Sequence, residues 1–80
     1  MIFEHFIGKS INELKDLHNF QGIAVFLLED DNNDKYGDGV RIWEDVFMKD
    51  FIKEFPQYED AIVEKSNDFY GEIVLRIRRK

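Results

Sequence analysis

Eighty residues, of which 44% are hydrophobic and 15% aromatic, predict one folded domain over residues 1–80 with a small core and exclude a disordered chain. The chain has no cysteine, which excludes disulfides and thiolate metal sites and is typical of a reducing compartment, so we expect a cytoplasmic protein. The net charge is -6, and no apolar run approaches the roughly 18 residues that a membrane span needs.

The first third of the chain predicts a short helix followed by a buried strand. Residues 1–7 fit either a short edge strand or an extended lead-in. Ser10 and Glu13 have the spacing of a capping box, and apolar residues then recur at helical spacing, so a helix is predicted from Ile11 to His18. From Gly22 the uncharged run IAVFLL predicts a strand in the middle of a sheet.

The clearest pattern in the chain predicts one amphipathic main helix, from Glu44 to Phe55. It follows a loop rich in Asp, Asn and Gly and a brief return strand at residues 40–43. At 100° per residue, one arc of roughly 140° collects the residues of the apolar face: Phe47, Met48, Phe51, Ile52 and Phe55. Pro56 predicts that the helix ends at Glu54 or Phe55.

The last quarter of the chain predicts a strand with one apolar and one basic face. Ile73, Leu75 and Ile77 alternate with Val74, Arg76 and Arg78. Residues 56–66 fit either a helix that begins at Pro56 or a strand that turns at residues 66–68 into the last one, and we favour this hairpin. The fold class predicted is α+β: a small antiparallel sheet of three to four strands, with the short N-terminal helix and the main helix packed on one face.

The sequence offers no catalytic constellation, and we expect neither an enzyme nor a cofactor. Ser10 is explained by its cap and Ser66 by a turn, and no glycine-rich phosphate loop is present. The acidic loop departs from a calcium loop because Tyr36 or Lys35 falls at a key position in the two nearest registers, so a calcium-binding module is a lesser alternative and no metal ligand is predicted. His5 and His18 fit surface or capping positions.

Charge is the property that points to a function. Residues 1–75 hold seven basic and 17 acidic residues, and the four remaining basic residues lie at positions 76–80. Such a body repels nucleic acid and anionic membranes and attracts basic protein surfaces, including those that grip phosphate. The acids concentrate in and after one loop beside aromatic residues of the kind that anchor interfaces. The predicted partner-binding residues are Glu29, Asp30, Asp31, Asp34, Tyr36, Asp38 and Trp43.

The function predicted is therefore a small acidic protein-binding module. Its partner is a protein with a basic surface, such as a nucleic-acid-binding protein that the module inhibits by occupying the nucleic-acid-facing surface. In size and charge the chain is analogous to the small inhibitors that phages and other mobile elements make, anti-CRISPR proteins among them. The alternative is an accessory or structural interaction subunit with an apolar interface. The basic RIRRK end fits charged residues that protect an edge strand, and neither the oligomeric state nor direct binding to nucleic acid is indicated.

Overall fold

The computed structural model describes residues 4–28 and 39–79, and these form a four-stranded sheet with short helical segments. The strands are β1 (His18–Leu28), β2 (Val40–Phe47), β3 (Ile62–Phe69) and β4 (Glu72–Arg78), and their order in the sheet is β2-β1-β4-β3. The α+β prediction of a small sheet with one main helix is confirmed.

The sheet is mixed, so the prediction of an antiparallel sheet is corrected. β1 pairs with β2 and β3 pairs with β4 as antiparallel neighbours, but β1 and β4 run parallel, with Ile23 opposite Ile73. The four described strands form two antiparallel pairs, and the connection from β2 to β3 carries the second pair back to the free side of β1. A parallel neighbour needs such a crossover, which here contains the helix.

The run IAVFLL lies in an inner strand, as predicted, because β1 has β2 on one side and β4 on the other. The predicted helix from Ile11 to His18 is not confirmed. A 3-10 helix occupies only Asn12–Leu14, and His18 already begins β1. The capping box itself forms: the Ser10 amide donates to Glu13 Oε2 at 2.9 Å, and the Glu13 amide donates to Ser10 Oγ at 3.3 Å. A single helical turn is enough to satisfy the two amide donors of the capping box. The chain then adopts an extended conformation from His18, because β1 pairs with β2.

The main helix α1 (Met48–Glu54) is shorter than predicted at its start, and the prediction of helix from Glu44 to Phe47 is wrong. Those residues belong to β2, because pairing with β1 outweighs their helical periodicity. Phe47 is consequently exposed instead of facing the core. The rest of the apolar face is placed as predicted, with Met48 and Phe51 fully buried. The helix ends at Glu54, before Pro56, as predicted.

Residues 56–66 contain the predicted hairpin strand. Pro56–Tyr58 forms a 3-10 helix, and β3 then pairs with β4. The turn between the two strands lies at Tyr70 and Gly71, so the prediction of a turn at residues 66–68 is wrong. At the start of the described chain, Glu4–Phe6 forms a 3-10 helix, and residues 1–3 lie outside the described residues.

The core lies on one face of the sheet, between the strands and the helical segments. The apolar face predicted for the last strand is confirmed. The buried side chains of the core cluster are Phe6, Ile11, Leu14, Ile23, Val25, Leu27, Trp43, Met48, Phe51, Ala61, Val63, Ile73, Leu75 and Ile77. Within residues 4–28 and 39–79, no helix has the length and apolar character needed to cross a membrane.

Candidate functional site

Most residues of the site predicted from charge lie outside the described part of the chain. Six of its residues fall in the segment 29–38, outside the described residues: Glu29, Asp30, Asp31, Asp34, Tyr36 and Asp38. The seventh, Trp43, is 8% exposed, and its ring centroid lies 5.3 Å from that of Phe51. Trp43 thus packs in the core and offers a partner little surface in this fold.

The described part of the chain has a groove on the face of the sheet that lies opposite the core, called here the open face. Where β1 pairs with β4, every second residue of each strand belongs to the core, as Val25 and Leu75 do. Because successive side chains of a strand point to opposite faces, the residues between these positions lie on the open face. The groove has a volume of about 250 Å³. It is lined by Ala24, Phe26, Arg41, Asn67, Phe69, Glu72, Val74 and Arg76.

Small side chains on the two inner strands give the groove its depth. Ala24 of β1 lies opposite Val74 of β4, and both are buried. Phe26 lies two residues further along β1, and Phe69 of β3 lies beside Glu72 of β4. The floor is therefore apolar, and an aromatic ring lies at either end of it.

A pair of carboxyl groups lies at the end of the groove near Phe69. Glu44 of β2 lies opposite Ala24, and its carboxyl group lies close enough to that of Glu72 for the two to share a hydrogen bond when one of them is protonated. The two long side chains reach each other across β1 because Gly22 and Ala24 leave space above that strand. A Cβ atom on Gly22 would lie only 3.1 Å from Glu72 Oε2. Glycine at position 22, where φ is 109°, thus permits the contact.

The carboxyl pair perturbs the titration of one of its members. The hydrogen bond to Glu44, followed by burial and by the charge of Glu44, raises the pKa of Glu72 to about 7, while Arg41 acts in the opposite direction. Like charges held this close favour a shared proton. The pair accordingly holds a proton to a higher pH than an isolated glutamate does.

The other end of the groove is basic. Both Arg41 and Arg76 are register partners of Phe26, one on each side of β1. The Arg76 guanidinium carbon lies 5.0 Å from the centroid of the Phe26 ring, and Arg76 Nη1 donates to Asn67 Oδ1 at 2.8 Å. Arg41 Nη1 lies 3.8 Å from Glu44 Oε1. Arg76 lies four positions after Glu72, roughly 13 Å along a strand, so the groove has a basic and an acidic end.

The turn between β3 and β4, called here the aromatic turn (Phe69–Gly71), presents two rings to solvent. Phe69 is 60% exposed and Tyr70 92% exposed, and their ring centroids lie 4.8 Å apart in an edge-on arrangement. Tyr70 has φ of 53° and Gly71 has φ of 90°, the two positive values that a type I′ turn requires. For a non-glycine residue the left-handed conformation costs about 1 to 2 kcal/mol. Tyr70 is thus a strained residue whose ring stabilises no core contact.

Hydrogen bonds hold the aromatic turn in place. Asn19 Nδ2 donates to the carbonyl oxygens of Gly22 and Gly71, each at 2.8 Å, and the Gly71 amide donates to Asp68 Oδ1 at 2.8 Å. The next residue of β1, Phe20, is 80% exposed. The exposed rings are therefore carried by a fixed backbone, which is the arrangement that limits the entropy lost on binding.

Sequence reasoning missed the groove and the aromatic turn. Asp68 and Gly71 around the pair of aromatic residues are the local turn signal that was available.

His5 and His18 contact neighbouring rings, Phe6 and Phe20 respectively. Within the described ranges, no group of three or more His, Cys, Asp or Glu residues is placed to hold a metal ion.

Comparison of the chain with protein-family models, with curated proteins and with solved structures found no match.

Proposed function

We propose that this protein is a small binding module that docks on a basic surface of a partner protein. The observation that carries the proposal is the aromatic turn, where Phe69 and Tyr70 are exposed on a strained but hydrogen-bonded backbone. Large exposed aromatic side chains on rigid backbone are the usual anchors of protein interfaces.

The backbone strain at Tyr70 supports a role of its ring in binding. A β-turn of this type is most stable with Asn or Gly at the position of Tyr70. A bulky residue in the left-handed region is unusual and tends to mark functional sites. Because Tyr70 gives the isolated protein a strained turn and almost no burial, its ring is better explained by a contact with another molecule.

Charge supports a basic partner. The net charge is -6, and the predicted contact segment, residues 29–38, carries five acids against one lysine. Complementary charge speeds encounter and excludes acidic surfaces. The narrower form of the proposal is a cytoplasmic inhibitor that covers the nucleic-acid-facing surface of its partner. It rests on the analogy in size and charge with phage and mobile-element inhibitors such as anti-CRISPR proteins.

A second candidate, an accessory subunit with an apolar interface, is favoured by other exposed side chains. Phe20 on β1 and Val40 and Phe47 on β2 are exposed large apolar residues. An interface built on them alone would depend little on ionic strength, whereas a charge-driven complex weakens as salt rises.

The test begins with capture of a partner by the tagged protein, its identification and its purification. The affinity of that partner is then measured at low and at physiological salt for the wild type, for Tyr70→Ala and for a variant with Asp30, Asp31 and Asp34 changed to Lys. We expect the triple reversal to weaken binding by about a hundredfold or more, because opposed like charges cost several kcal/mol. We expect Tyr70→Ala to weaken it by about tenfold or more at both salt concentrations.

A matched control changes three acids elsewhere to Lys, Glu54, Glu59 and Asp60, all exposed in the structure. This control alters net charge by the same amount, so specific contact predicts a much smaller effect from it. Binding that is insensitive both to salt and to the Asp30, Asp31 and Asp34 reversal would refute the basic partner. Wild-type affinity in Tyr70→Ala would refute the role of the aromatic turn. Loss of the partner's nucleic-acid binding when the complex forms is the outcome that the inhibitor form requires.

A further inference from the structure

On the basis of the proposed function, we propose that the groove on the open face receives the guanidinium group of an arginine side chain of the partner protein. The occupant would lie along the floor formed by Ala24 and Val74, with its charged end between Phe69 and the carboxyl pair of Glu44 and Glu72.

The size of the groove fits one side chain. Its volume of about 250 Å³ is below the roughly 300 to 1,000 Å³ of pockets that hold drug-sized ligands. The apolar floor suits the methylene stem of a long basic side chain, which is commonly buried while its charged end stays near polar groups. Extended peptide or a larger ring system would not be enclosed by it.

The acidic end of the groove fits a guanidinium group better than an ammonium group. Two carboxyl groups, from Glu44 and Glu72, provide oxygen acceptors for the planar fork of N–H donors. The Phe69 ring, 60% exposed at the same end, provides a face on which a guanidinium can stack. A lysine would gain the charge attraction without the forked hydrogen bonds.

The two arginines that line the groove leave this end available for a further cation. Arg76 stacks on Phe26 and donates to Asn67 at the basic end. Arg41 contacts Glu44, yet with Arg41 in place the pKa of Glu72 is still raised to about 7. The carboxyl pair is therefore incompletely neutralised by the protein's own cations, and a second guanidinium would take the place of the shared proton.

Exchange of a proton for a cation makes the expected binding pH-dependent. The charged groups that act on Glu72 are Glu44 and Arg41, both on β2, and Arg76 of β4 lines the other end of the groove. Lys65 of β3 lies beside Arg76, and the described part of β1 brings no charge to the groove. A cation binds the ionised form of Glu72, so affinity should rise as pH rises through about 7.

The experiment is a titration of the isotope-labelled protein, followed by the backbone amide signals, with a short blocked peptide that contains one arginine. Matched peptides carry lysine, or citrulline, which has the shape of arginine without its charge. We expect the arginine peptide to shift the amide signals of Ala24, Phe69 and Val74 and to bind about five to ten times more tightly at pH 8 than at pH 6, as the ionised fraction of Glu72 rises. The lysine peptide should bind more weakly, and the citrulline peptide should not saturate.

Two variants distinguish binding of arginine in the groove from nonspecific attraction of a cation to the acidic protein. Glu72→Gln should weaken arginine binding severalfold and abolish its dependence on pH, whereas Glu59→Gln, an exposed acid outside the groove, should leave both unchanged. Equal binding of the citrulline peptide, shifts confined to other regions, or retained pH dependence in Glu72→Gln would each overturn the inference.

Partner binding by Glu72→Gln and by Tyr70→Ala distinguishes failure of the groove inference from failure of the proposed function. If the captured partner binds Glu72→Gln as tightly as the wild type while Tyr70→Ala still impairs binding, the groove inference fails and the binding module stands. A stronger response of the groove amides to a short single-stranded oligonucleotide than to the arginine peptide would identify the open face as a nucleic-acid surface and refute the arginine site.

Discussion

Replacing Glu72 by glutamine should change how the stability of the protein depends on pH. The pKa of Glu72 is raised from 4.5 to about 7, chiefly by its hydrogen bond to Glu44. Because the folded state holds the proton more tightly, this stabilisation is fully present below pH 4.5 and is lost as pH rises through about 7. Glutamine stays neutral and can donate a hydrogen bond to the Glu44 carboxylate at any pH, so the variant should not show this loss.

The expected size of the effect follows from the shift. At about 1.4 kcal/mol for each pKa unit, a shift from 4.5 to about 7 corresponds to an upper limit of roughly 3 kcal/mol in the free energy of unfolding. The pair lies in an open groove where water screens its charges, so about 1 to 2 kcal/mol is a realistic value. Glu72→Gln should therefore match the wild type near pH 4.5 and be more stable by about that amount at pH 8.

Urea denaturation at half-unit intervals from pH 4.5 to 8.5 measures this difference. The quantity to compare is the free energy of unfolding of the variant minus that of the wild type, since titration of the carboxylates outside the Glu44 and Glu72 pair then cancels. Glu54→Gln, at an exposed position in the last turn of α1, is the matched control and should give a constant difference. A constant difference for Glu72→Gln as well would refute the coupling of Glu72 to Glu44.

The remaining predictions concern the core and the aromatic turn. Phe51→Ala should destabilise the fold by about 3 to 5 kcal/mol, because Phe51 is fully buried and packs against Trp43 and Phe55. Urea denaturation tests this, and a loss below about 1 kcal/mol would mean that the core is not centred on Phe51. Tyr70→Asn should stabilise the protein by about 1 kcal/mol, because asparagine tolerates the left-handed conformation at little cost, and should weaken partner binding. Lower stability of Tyr70→Asn in thermal denaturation would show that the turn is not strained.

Local patterns predict the elements in which residue composition and the period of the apolar positions indicate the same secondary structure. The β1 run is apolar, β-branched and free of charge, which is typical of a strand. The apolar residues of β4 alternate with a period of two and do not fit a helical period, so both segments indicate strands alone. Residues 44–47 satisfied the helical period and also suit a strand. Pairing with β1 decided between them, and this pairing is a tertiary interaction that a local pattern does not contain. The parallel alignment of β1 with β4 is likewise set by the packing of the two antiparallel pairs.

The groove was harder to predict than the strands because its parts lie far apart in the sequence. Glu44 and Glu72 are two of 17 acids, and only the sheet register brings them together across Gly22. Charge reasoning selected the densest acidic segment, which lies outside the described residues. The sequence does not single out Tyr70, because its exposure and its positive φ arise from its place in the turn, and β3 extends to Phe69, beyond the turn predicted at residues 66–68.

The inner position of β4 has a consequence for the chain during its synthesis on the ribosome. Ile23 of β1 is made fifty positions before its partner Ile73, and β4 is also the partner of β3. At about 5 to 20 residues per second, translation leaves the β4 side of β1 without its strand for several seconds. An apolar strand with an open edge readily pairs with other chains. The nascent protein therefore passes through a stage in which its best strand former, IAVFLL, is open to association with other chains or to capture by chaperones.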